Sequence, residues 1–274
     1  MSDDTHHELL LGKATPVVEE YAPQLLYPIP RSRARESLGF NEGLSFSGAD
    51  LWHAYEMSWL NKEGTPVVRV GRFLIPCSSP YMVESKSFKL YLNSLNNTRF
   101  NSDEFVRKAI VQDIGNIAGT SVELELLPVD SPELSGQELA GHCLDELAIE
   151  VEAGEPSAQM LQTDTQQLVE ETLYSHLLRS LCPVTGQPDW ATVWIHYRGR
   201  ALEHKSLLRY IVSYRSHQEF HEQCVERMFR DISSVVAPKT LSIQAFYTRR
   251  GGMDINPFRS SDPGQRPLPR IDRQ

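Results

Sequence analysis

Apolar positions in the first half of the chain change from a strand-like to a helix-like pattern and back. Residues 66–75 are rich in β-branched and apolar side chains, which predicts a strand. Apolar residues at helical spacing follow over 87–95 and again after Asn101, where Glu104 three residues later is typical of a capping box. Residues 121–127 alternate between apolar and polar side chains and predict another strand. The first half is therefore predicted to be β-α-α-β.

The second half repeats this order of patterns. Residues 190–197 alternate and predict a strand, residues 207–214 and 220–236 have helical spacing, and residues 241–247 alternate again. Similar residues also recur at matching places: Tyr91 to Ser94 with Tyr210 to Ser213, Phe100 with Phe220, and Asp113-Ile114 with Asp231-Ile232. We therefore predict an α+β chain made of two tandem copies of one unit.

The first 45 residues contain four prolines (Pro16, Pro23, Pro28 and Pro30) and then Arg31, Arg33 and Arg35. This composition favours an arm lying over a domain, with regular structure starting near Asp50. We expect this arm at residues 1–45, a first unit at 46–160 and a second unit at 161–274.

Charge is distributed unevenly. The chain has 27 basic and 36 acidic residues, a net charge of −9, yet residues 109–178 contain 14 acids and no lysine or arginine. The remaining 204 residues have 27 basic and 22 acidic side chains. An acidic average excludes a protein that coats nucleic acid, because such a protein needs a broad basic surface. It leaves room for a local anion site.

The lengths of the apolar runs and the spacing of the cysteines indicate the cellular compartment of the protein. No window approaches ~20 consecutive apolar residues, and the start lacks the pattern of a signal peptide. The four cysteines are widely spaced without a C-x-x-C pair, which favours reduced thiols. We expect a cytoplasmic protein without a metal site, because no His and Cys set has zinc-ligand spacing.

Cys182 lies in a turn that contains proline and glycine, and Asp189 follows seven residues later. A turn can expose a thiol, so Cys182 is a candidate nucleophile with Asp189 as its proton donor. The alternative is a small apolar residue that fills a turn.

Two further segments could bind an anion. Residues 83–91 place a glutamate, hydroxyls and two lysines at a strand-to-helix junction, and Arg249-Arg250-Gly251-Gly252 follows a strand. A capped helix with a solvated basic face and a basic turn explain the same residues. His221 and Glu222, at the start of the long helix, are unremarkable by themselves.

Four segments together resemble the NADPH-dependent 7-cyano-7-deazaguanine reductases, the nitrile reductases of queuosine biosynthesis. The likeness runs from about Gly48 to Phe258 and is similar to the long form of that family. It implies the tunnelling fold (T-fold), in which antiparallel hairpins carry paired helices on one face. The segments are Glu84-Ser-Lys-Ser-Phe-Lys-Leu-Tyr91, the Cys182 turn up to Gln-Pro-Asp-Trp190, Phe220-His-Glu-Gln-Cys-Val-Glu226 and Tyr247-Thr-Arg-Arg-Gly-Gly252.

The resemblance also implies roles. Cys182 would add to the nitrile carbon to form a thioimide, Asp189 would protonate the nitrogen, and His221 would assist proton transfer. The substrate would contact Val83, Glu84, Ser85, His221 and Glu222. NADPH would contact Ser85, Lys86, Arg250 and Gly251, with no metal involved.

Two other functions remain open at this point. A hydrolase would start with the same thioimide but use water instead of hydride, and a purine-binding module would have no activity. The basic residues Lys86 and Arg250 favour a phosphorylated cofactor over the hydrolase. We further expect at least a homodimer, since tunnelling-fold units commonly close their sheets between chains, and no direct nucleic-acid or membrane partner.

Overall fold

The computed structural model describes residues 18, 20–41, 43–151 and 154–274, without the side chains of 165 and 166. These residues form two compact units. Unit 1 contains the described residues up to Arg33, with Asp50–Leu134 and Arg249–Asp254. Unit 2 contains Ala34–Ala49, Ser135–Thr248 and Ile255–Gln274, as far as they are described.

The helices and strands follow the predicted alternation. Up to residue 134 they are β1 (Pro28–Pro30), α1 (Ser32–Ser37), β2 (Ser47–Leu60), β3 (Pro66–Pro76), β4 (Tyr81–Val83), α2 (Ser85–Ser94), α3 (Asp103–Ala118) and β5 (Glu123–Leu127). The rest are β6 (His142–Cys143), β7 (Thr163–Leu181), β8 (Pro188–Leu202), α4 (His204–Ser213), α5 (His221–Val236), β9 (Thr240–Tyr247) and β10 (Met253–Ser260).

Helices α2 and α3 cover the sheet of unit 1, whose strand order is β5-β3-β2. Strands β3 and β5 pair antiparallel, as the alternating patterns predicted. The Phe88 ring of α2 lies 5.0 Å from the Phe73 ring of β3, and both side chains are fully buried. The predicted capping box at Asn101 is wrong: α3 begins after Ser102, and that side chain makes no cap hydrogen bond.

The arm is more regular than the sequence suggested. Strand β1 pairs antiparallel with β4, and the buried Arg31 guanidinium lies 2.6 Å from the Asp50 carboxylate. The prediction that regular structure starts near Asp50 is therefore wrong, because a buried ion pair and a short sheet fix the arm from Pro28 onward. Residues 1–17 of the predicted arm lie outside the described part.

In unit 2 a long hairpin, β7 and β8, continues antiparallel into β9 and β10, while the two-residue β6 pairs parallel with β7. The alternation predicted for 190–197 is confirmed, since Val193, Ile195 and Tyr197 are fully buried. Most of β7 lies in the acidic stretch, where the sequence indicated no strand. Among the described residues, no helix combines the length and apolar content needed to cross a membrane.

The predicted repeat is confirmed by matching hydrogen bonds. Tyr91 on α2 donates to Asp113 on α3 at 2.7 Å, and Tyr210 on α4 donates to Asp231 on α5 at 2.8 Å. Each first helix also has a glutamate N-cap, Glu84 or Glu203, that accepts from two backbone amides. The α+β class with antiparallel sheets and paired helices is confirmed. The boundaries at 45 and 160 stay a prediction.

Candidate active site

Cys182 lies in the turn between β7 and β8. Its amide donates to the Gln187 carbonyl at 2.9 Å, and its carbonyl accepts from Gly186 at 2.9 Å. Ser180 pairs with Asp189 across the hairpin. Because side chains two residues apart lie on the same side of a strand, Cys182 and Asp189 lie on the same side of the hairpin end.

The expectation of an exposed thiol is wrong, because Cys182 is only 3% exposed. The neighbouring Leu181 exchanges backbone hydrogen bonds with the segment before α5: its amide donates to His217 at 2.8 Å, and its carbonyl accepts from Glu219 at 3.2 Å. This segment therefore closes over the hairpin end. The thiol is in an enclosed site, where charge interactions are stronger than in water.

His221, the first residue of α5, lies beside the acid. Its Nε2 is 3.3 Å from a carboxylate oxygen of Asp189, which is itself 7% exposed. The imidazole stacks on the Tyr247 ring, with 3.6 Å between centroids and 9° between planes. Its Nδ1 is buried and has no hydrogen-bond partner among the described residues. Unpaired buried polar atoms are uncommon, and this one can bind a substrate group.

A second thiol lies nearby but has a different character. Cys224 on α5 is fully buried and interacts with Ser180 and Tyr247. Burial raises the pKa of the Cys224 thiol well above its ordinary value, so the thiol stays protonated and unreactive. Ser180 and Tyr247 were not singled out as site residues from the sequence, because cross-strand contacts leave no spacing pattern within one segment.

Glu222 occupies the first turn of α5 and is 5% exposed, so it is not the solvated first-turn acid that the sequence alone suggested. One turn later, Glu226 accepts hydrogen bonds from Arg35 and Arg259, both at 2.7–3.0 Å. These buried guanidinium groups satisfy Glu226 and fix this part of the helix. Glu222 is therefore a carboxylate on a rigid support.

In unit 1, Glu84 is the N-cap of α2. Its carboxylate accepts from the Lys86 amide at 3.0 Å and the Ser87 amide at 2.7 Å, and its own amide donates to Tyr27 of the arm at 2.9 Å. A carboxylate has about four acceptor positions, so these bonds leave capacity for a ligand. Val83 ends β4 directly before Glu84, and Ser85 begins α2 directly after it.

The predicted cofactor residues of unit 1 lie at two backbone turns. Ser85 and Lys86 are in the first turn of α2, and Arg250 precedes Gly251 and Gly252, which have φ of 62° and 79°. A Cβ on Gly251 would lie 3.4 Å from Lys89 of α2, and one on Gly252 would clash with Glu56 at 2.3 Å. These glycines let the backbone approach closely, and they border a groove of about 430 Å³ that Lys89 also lines.

Family models match both halves of the chain. The model "Nitrile reductase, 7-cyano-7-deazaguanine-reductase N-term" matches residues 17–126, and "QueF-like protein" matches residues 188–265. A curated protein of Dechloromonas aromatica, named NADPH-dependent 7-cyano-7-deazaguanine reductase, is 52% identical over 94% of this chain and 92% of its own. The chain belongs to the 7-cyano-7-deazaguanine reductase family.

Other members of the reductase family are nearly as similar. The protein of the same name from Burkholderia ambifaria is 51% identical over 92% of both chains, and that of Desulfotalea psychrophila is 48% identical over 95% of both. The resemblance inferred from four segments is thereby confirmed. The individual roles implied for Cys182, Asp189, His221 and the binding residues stay predictions.

Proposed function

We propose that this chain reduces the nitrile 7-cyano-7-deazaguanine to 7-aminomethyl-7-deazaguanine with NADPH, a step of tRNA queuosine biosynthesis. The names of its relatives support the substrate and the cofactor. The structural observation that supports the chemistry is the grouping of Cys182, Asp189 and His221 at one hairpin end. The buried imidazole Nδ1 there has no hydrogen-bond partner in the described part of the chain.

Cys182 begins the reaction. Its sulfur gives up the thiol proton and forms a bond to the nitrile carbon while one π bond of the nitrile breaks. Asp189 delivers a proton to the nitrogen, so the net change moves one proton from sulfur to nitrogen. The product is a covalent thioimide, whose polarised carbon accepts hydride far more readily than a nitrile does. The turn fixes the Cys182 backbone, so the sulfur is positioned before the substrate binds.

Two molecules of NADPH supply one hydride each, and two protons complete the amine. After the first reduction the carbon–sulfur bond breaks, which releases Cys182 and leaves an imine for the second reduction. His221 transfers protons in these steps. Its Nε2 lies 3.3 Å from Asp189, and its Nδ1, which has no hydrogen-bond partner among the described residues, can contact the substrate. The enclosed turn keeps water from hydrolysing the imine.

Carboxylates recognise the deazaguanine ring. A guanine-like edge presents a ring N–H beside an exocyclic amine, and a carboxylate such as that of Glu84 or Glu222 is the acceptor that such donors require. Val83 and Ser85 flank Glu84, and His221 precedes Glu222 on α5. A base without the exocyclic amine would lose a charge-assisted hydrogen bond to a carboxylate, which disfavours its binding.

The residues of unit 1 suit a phosphorylated dinucleotide. Gly251 and Gly252 line a groove together with Lys89, which is paired with Glu56 at 3.2 Å. Outside that lining, Lys86 and Arg250 provide further positive charge for phosphate groups. We assign Ser85, Lys86, Arg250 and Gly251 to the cofactor. No Rossmann glycine fingerprint is needed for this mode of binding.

The decisive experiment is a spectrophotometric assay with NADPH and the nitrile. The reductase predicts oxidation of two NADPH for each nitrile consumed, with the aminomethyl product identified by mass spectrometry. Appearance of an amide or acid without NADPH oxidation would instead identify a hydrolase. Binding with no turnover of either kind would identify a purine-binding module.

Trapping the adduct tests the role of Cys182. Incubated with the nitrile alone, the wild-type protein gains the mass of one substrate, whereas Cys182→Ala gains nothing. Cys77→Ala, which removes a buried thiol in unit 1, serves as the matched control and keeps the adduct. An adduct on Cys182→Ala would refute this nucleophile.

A further inference from the structure

Three metal-binding side chains meet at the edge of the sheet in unit 2. The Cys143 sulfur, an Asp145 carboxylate oxygen and a His176 ring nitrogen all lie within 4.8 Å of one another. Cys143 ends β6, Asp145 follows two residues later, and His176 lies on β7. All three are half-buried.

The backbone explains why these side chains converge. Strand β6 pairs parallel with β7 through Cys143 and Tyr174, and the fully buried Leu144 donates from its amide to the Tyr174 carbonyl at 2.9 Å. Residues on both sides of Leu144 are therefore held against β7. The register of β7 shifts between Ser175 and Leu178, and such a bulge redirects the side chain of His176.

Two of the three side chains are also oriented by a second set of contacts. Asp145 accepts from the Ser175 hydroxyl at 2.6 Å and from the His176 amide at 3.1 Å. The Thr192 hydroxyl lies 2.8 Å from His176 Nδ1, which leaves Nε2 for another partner. Metal-binding histidines are typically held by a hydrogen bond at the nitrogen that does not bind the metal.

The three side chains lie in an acidic part of the sequence, and Arg273, from the end of the chain, donates to the backbone carbonyl of His176 rather than to its ring. Cys143, Asp145 and His176 all lie within residues 109–178, which contain 14 acids and no lysine or arginine. A thiolate, an imidazole and a carboxylate form a mixed set that Zn²⁺ accepts, with ligand distances of about 2.0 to 2.3 Å. In a tetrahedral site with those bond lengths the ligand atoms lie about 3.3 to 3.8 Å apart. Atoms that lie within 4.8 Å of one another therefore need to move by about 1 Å at most to bind one ion.

We propose that Cys143, Asp145 and His176 bind one Zn²⁺ ion per chain, with a water molecule as the fourth ligand. The ion has a structural role: it links the acidic segment around β6 to β7. It takes no part in nitrile reduction. This site has no recognisable sequence motif, because Cys143 and His176 are 33 positions apart. The β6–β7 pairing is what brings them together.

Metal titration of the purified full-length protein tests this proposal. The protein is first treated with a chelator and then titrated with Zn²⁺ against a chromophoric competitor. We expect one equivalent to bind tightly, and we expect Cys143→Ser and Asp145→Asn each to weaken binding by about 100-fold. Thr192→Val, which removes only the hydroxyl that orients His176, should weaken it by about 10-fold.

Co²⁺ gives a second measurement that does not depend on affinity. Wild-type protein loaded with one equivalent of Co²⁺ should show a thiolate-to-metal charge-transfer band in the near ultraviolet, and Cys143→Ser should lack it. Cys182→Ser is the matched control, because Cys182, Asp189 and His221 offer the same ligand types elsewhere in unit 2. This variant should keep the band.

Three results would overturn the proposal: substoichiometric Zn²⁺ binding by the wild-type protein, an unchanged band in Cys143→Ser, or loss of the band in Cys182→Ser. Circular dichroism identifies any variant that has failed to fold. If Cys143→Ser has failed to fold, the Zn²⁺ affinity of Asp145→Asn and the Co²⁺ spectrum of the wild-type protein test the proposal instead. The outcome is independent of the NADPH assay, so failure of one proposal leaves the other intact.

Discussion

The two cysteines near the candidate active site have different surroundings and therefore different chemical roles. Cys182 lies in a turn, held by backbone hydrogen bonds with Gln187 and Gly186, whereas Cys224 is buried on α5 and its pKa is raised by that burial. Both thiols are buried, but Cys182 shares its hairpin end with Asp189, whereas burial and the charge of Glu219 keep the Cys224 thiol protonated. Residue type alone therefore does not select the nucleophile; position does.

Asp189→Asn tests whether this carboxyl group delivers a proton. The amide keeps the size of the side chain but cannot protonate the nitrile nitrogen, so we expect kcat to fall about 10²- to 10⁴-fold while the Kd for substrate changes less than about 3-fold. Asp130→Asn, an exposed acid in unit 1, is the control and should keep full activity. Equal losses in turnover and binding would show that Asp189 only positions the substrate.

Tyr247 is a positioning residue for His221. Tyr247→Phe retains the parallel stack on the imidazole, so kcat should stay within about 3-fold of the wild type. Tyr247→Leu removes a stack worth about 0.5 to 1.5 kcal/mol and should lower kcat about 10-fold with little change in KM. Steady-state kinetics of the two variants measure this difference. If both variants lose the same activity, the hydroxyl rather than the ring is responsible.

At the scale of elements, the two halves present the same helix start with different functions. Glu84 and Glu203 each accept from two amides in the first turn of their helix, and Ser87 and Ser206 each donate back to the cap carbonyl at 2.7 Å. The glutamate N-cap therefore stabilises the start of the first helix in both halves. Substrate binding is proposed for Glu84 alone.

This duplication provides a matched pair of variants. Glu84→Gln and Glu203→Gln both weaken a cap, so each should lower the free energy of unfolding by a similar amount, about 1 kcal/mol or less. Glu84→Gln should also raise KM for the nitrile by about 10- to 100-fold, because it loses a charge-assisted contact with the ring. Denaturant unfolding and initial rates measure the two effects. A KM increase in Glu203→Gln of the same size would show that the cap, not recognition, is responsible.

The segment between α4 and α5 makes stability depend on pH. Burial opposes the charged form of His217, but hydrogen bonds and charge from Glu219 and Glu155 outweigh it and raise the pKa of His217 above 6.5. Its stabilising effect is complete below pH 6.5 and is lost as the pH rises through the raised value. We expect the free energy of unfolding to fall above pH 6.5 in the wild type, and less so in His217→Gln.

His142→Gln, which changes an exposed histidine, is the control and should behave like the wild type in the same denaturant series. The partner carboxylate has the opposite dependence. Burial would raise the pKa of Glu219, but hydrogen bonds from His217 and Arg227 lower it below 4.5, so its contribution is lost as the pH falls below that value. Identical pH profiles for wild type and His217→Gln would contradict this account.

The elements that sequence patterns missed share a physical cause. Strand β7 is rich in polar residues, and its bulge between Ser175 and Leu178 breaks the alternation that marks a strand. Strand β2 is buried on both faces from Asp50 to Ala54, so it does not alternate either. The burial of Cys182 was missed because it depends on a segment more than 30 positions away. Regular one-sided elements such as β8 and α5 were predictable.

At the scale of the whole chain, much of the acidic stretch of residues 109–178 lies in helices and strands. It includes the end of α3, all of β5 and most of β7, whereas every residue assigned to the reaction lies outside it. Lys86 and Arg250, which we assign to the anionic cofactor, are therefore separated along the sequence from the 14 acids of residues 109–178.

We predict that the protein is at least a homodimer. Strand β5 is the last strand on its side of the sheet in unit 1, and an edge strand offers unpaired backbone groups to another chain. Multi-angle light scattering at assay concentration should give a mass of at least twice 31.1 kDa. A monomer under these conditions would refute the prediction.

The enclosed position of Cys182 has a consequence for chemical selectivity. Oxidants and alkylating reagents attack thiols that they can approach, and a thiol in a closed hairpin end presents little surface to them. A bulky thiol probe should therefore label this protein slowly at Cys182, whereas the proposed substrate is a flat molecule with a linear electrophile at its rim. Narrow, planar nitriles are accordingly the starting point for selective covalent inhibitors of this enzyme.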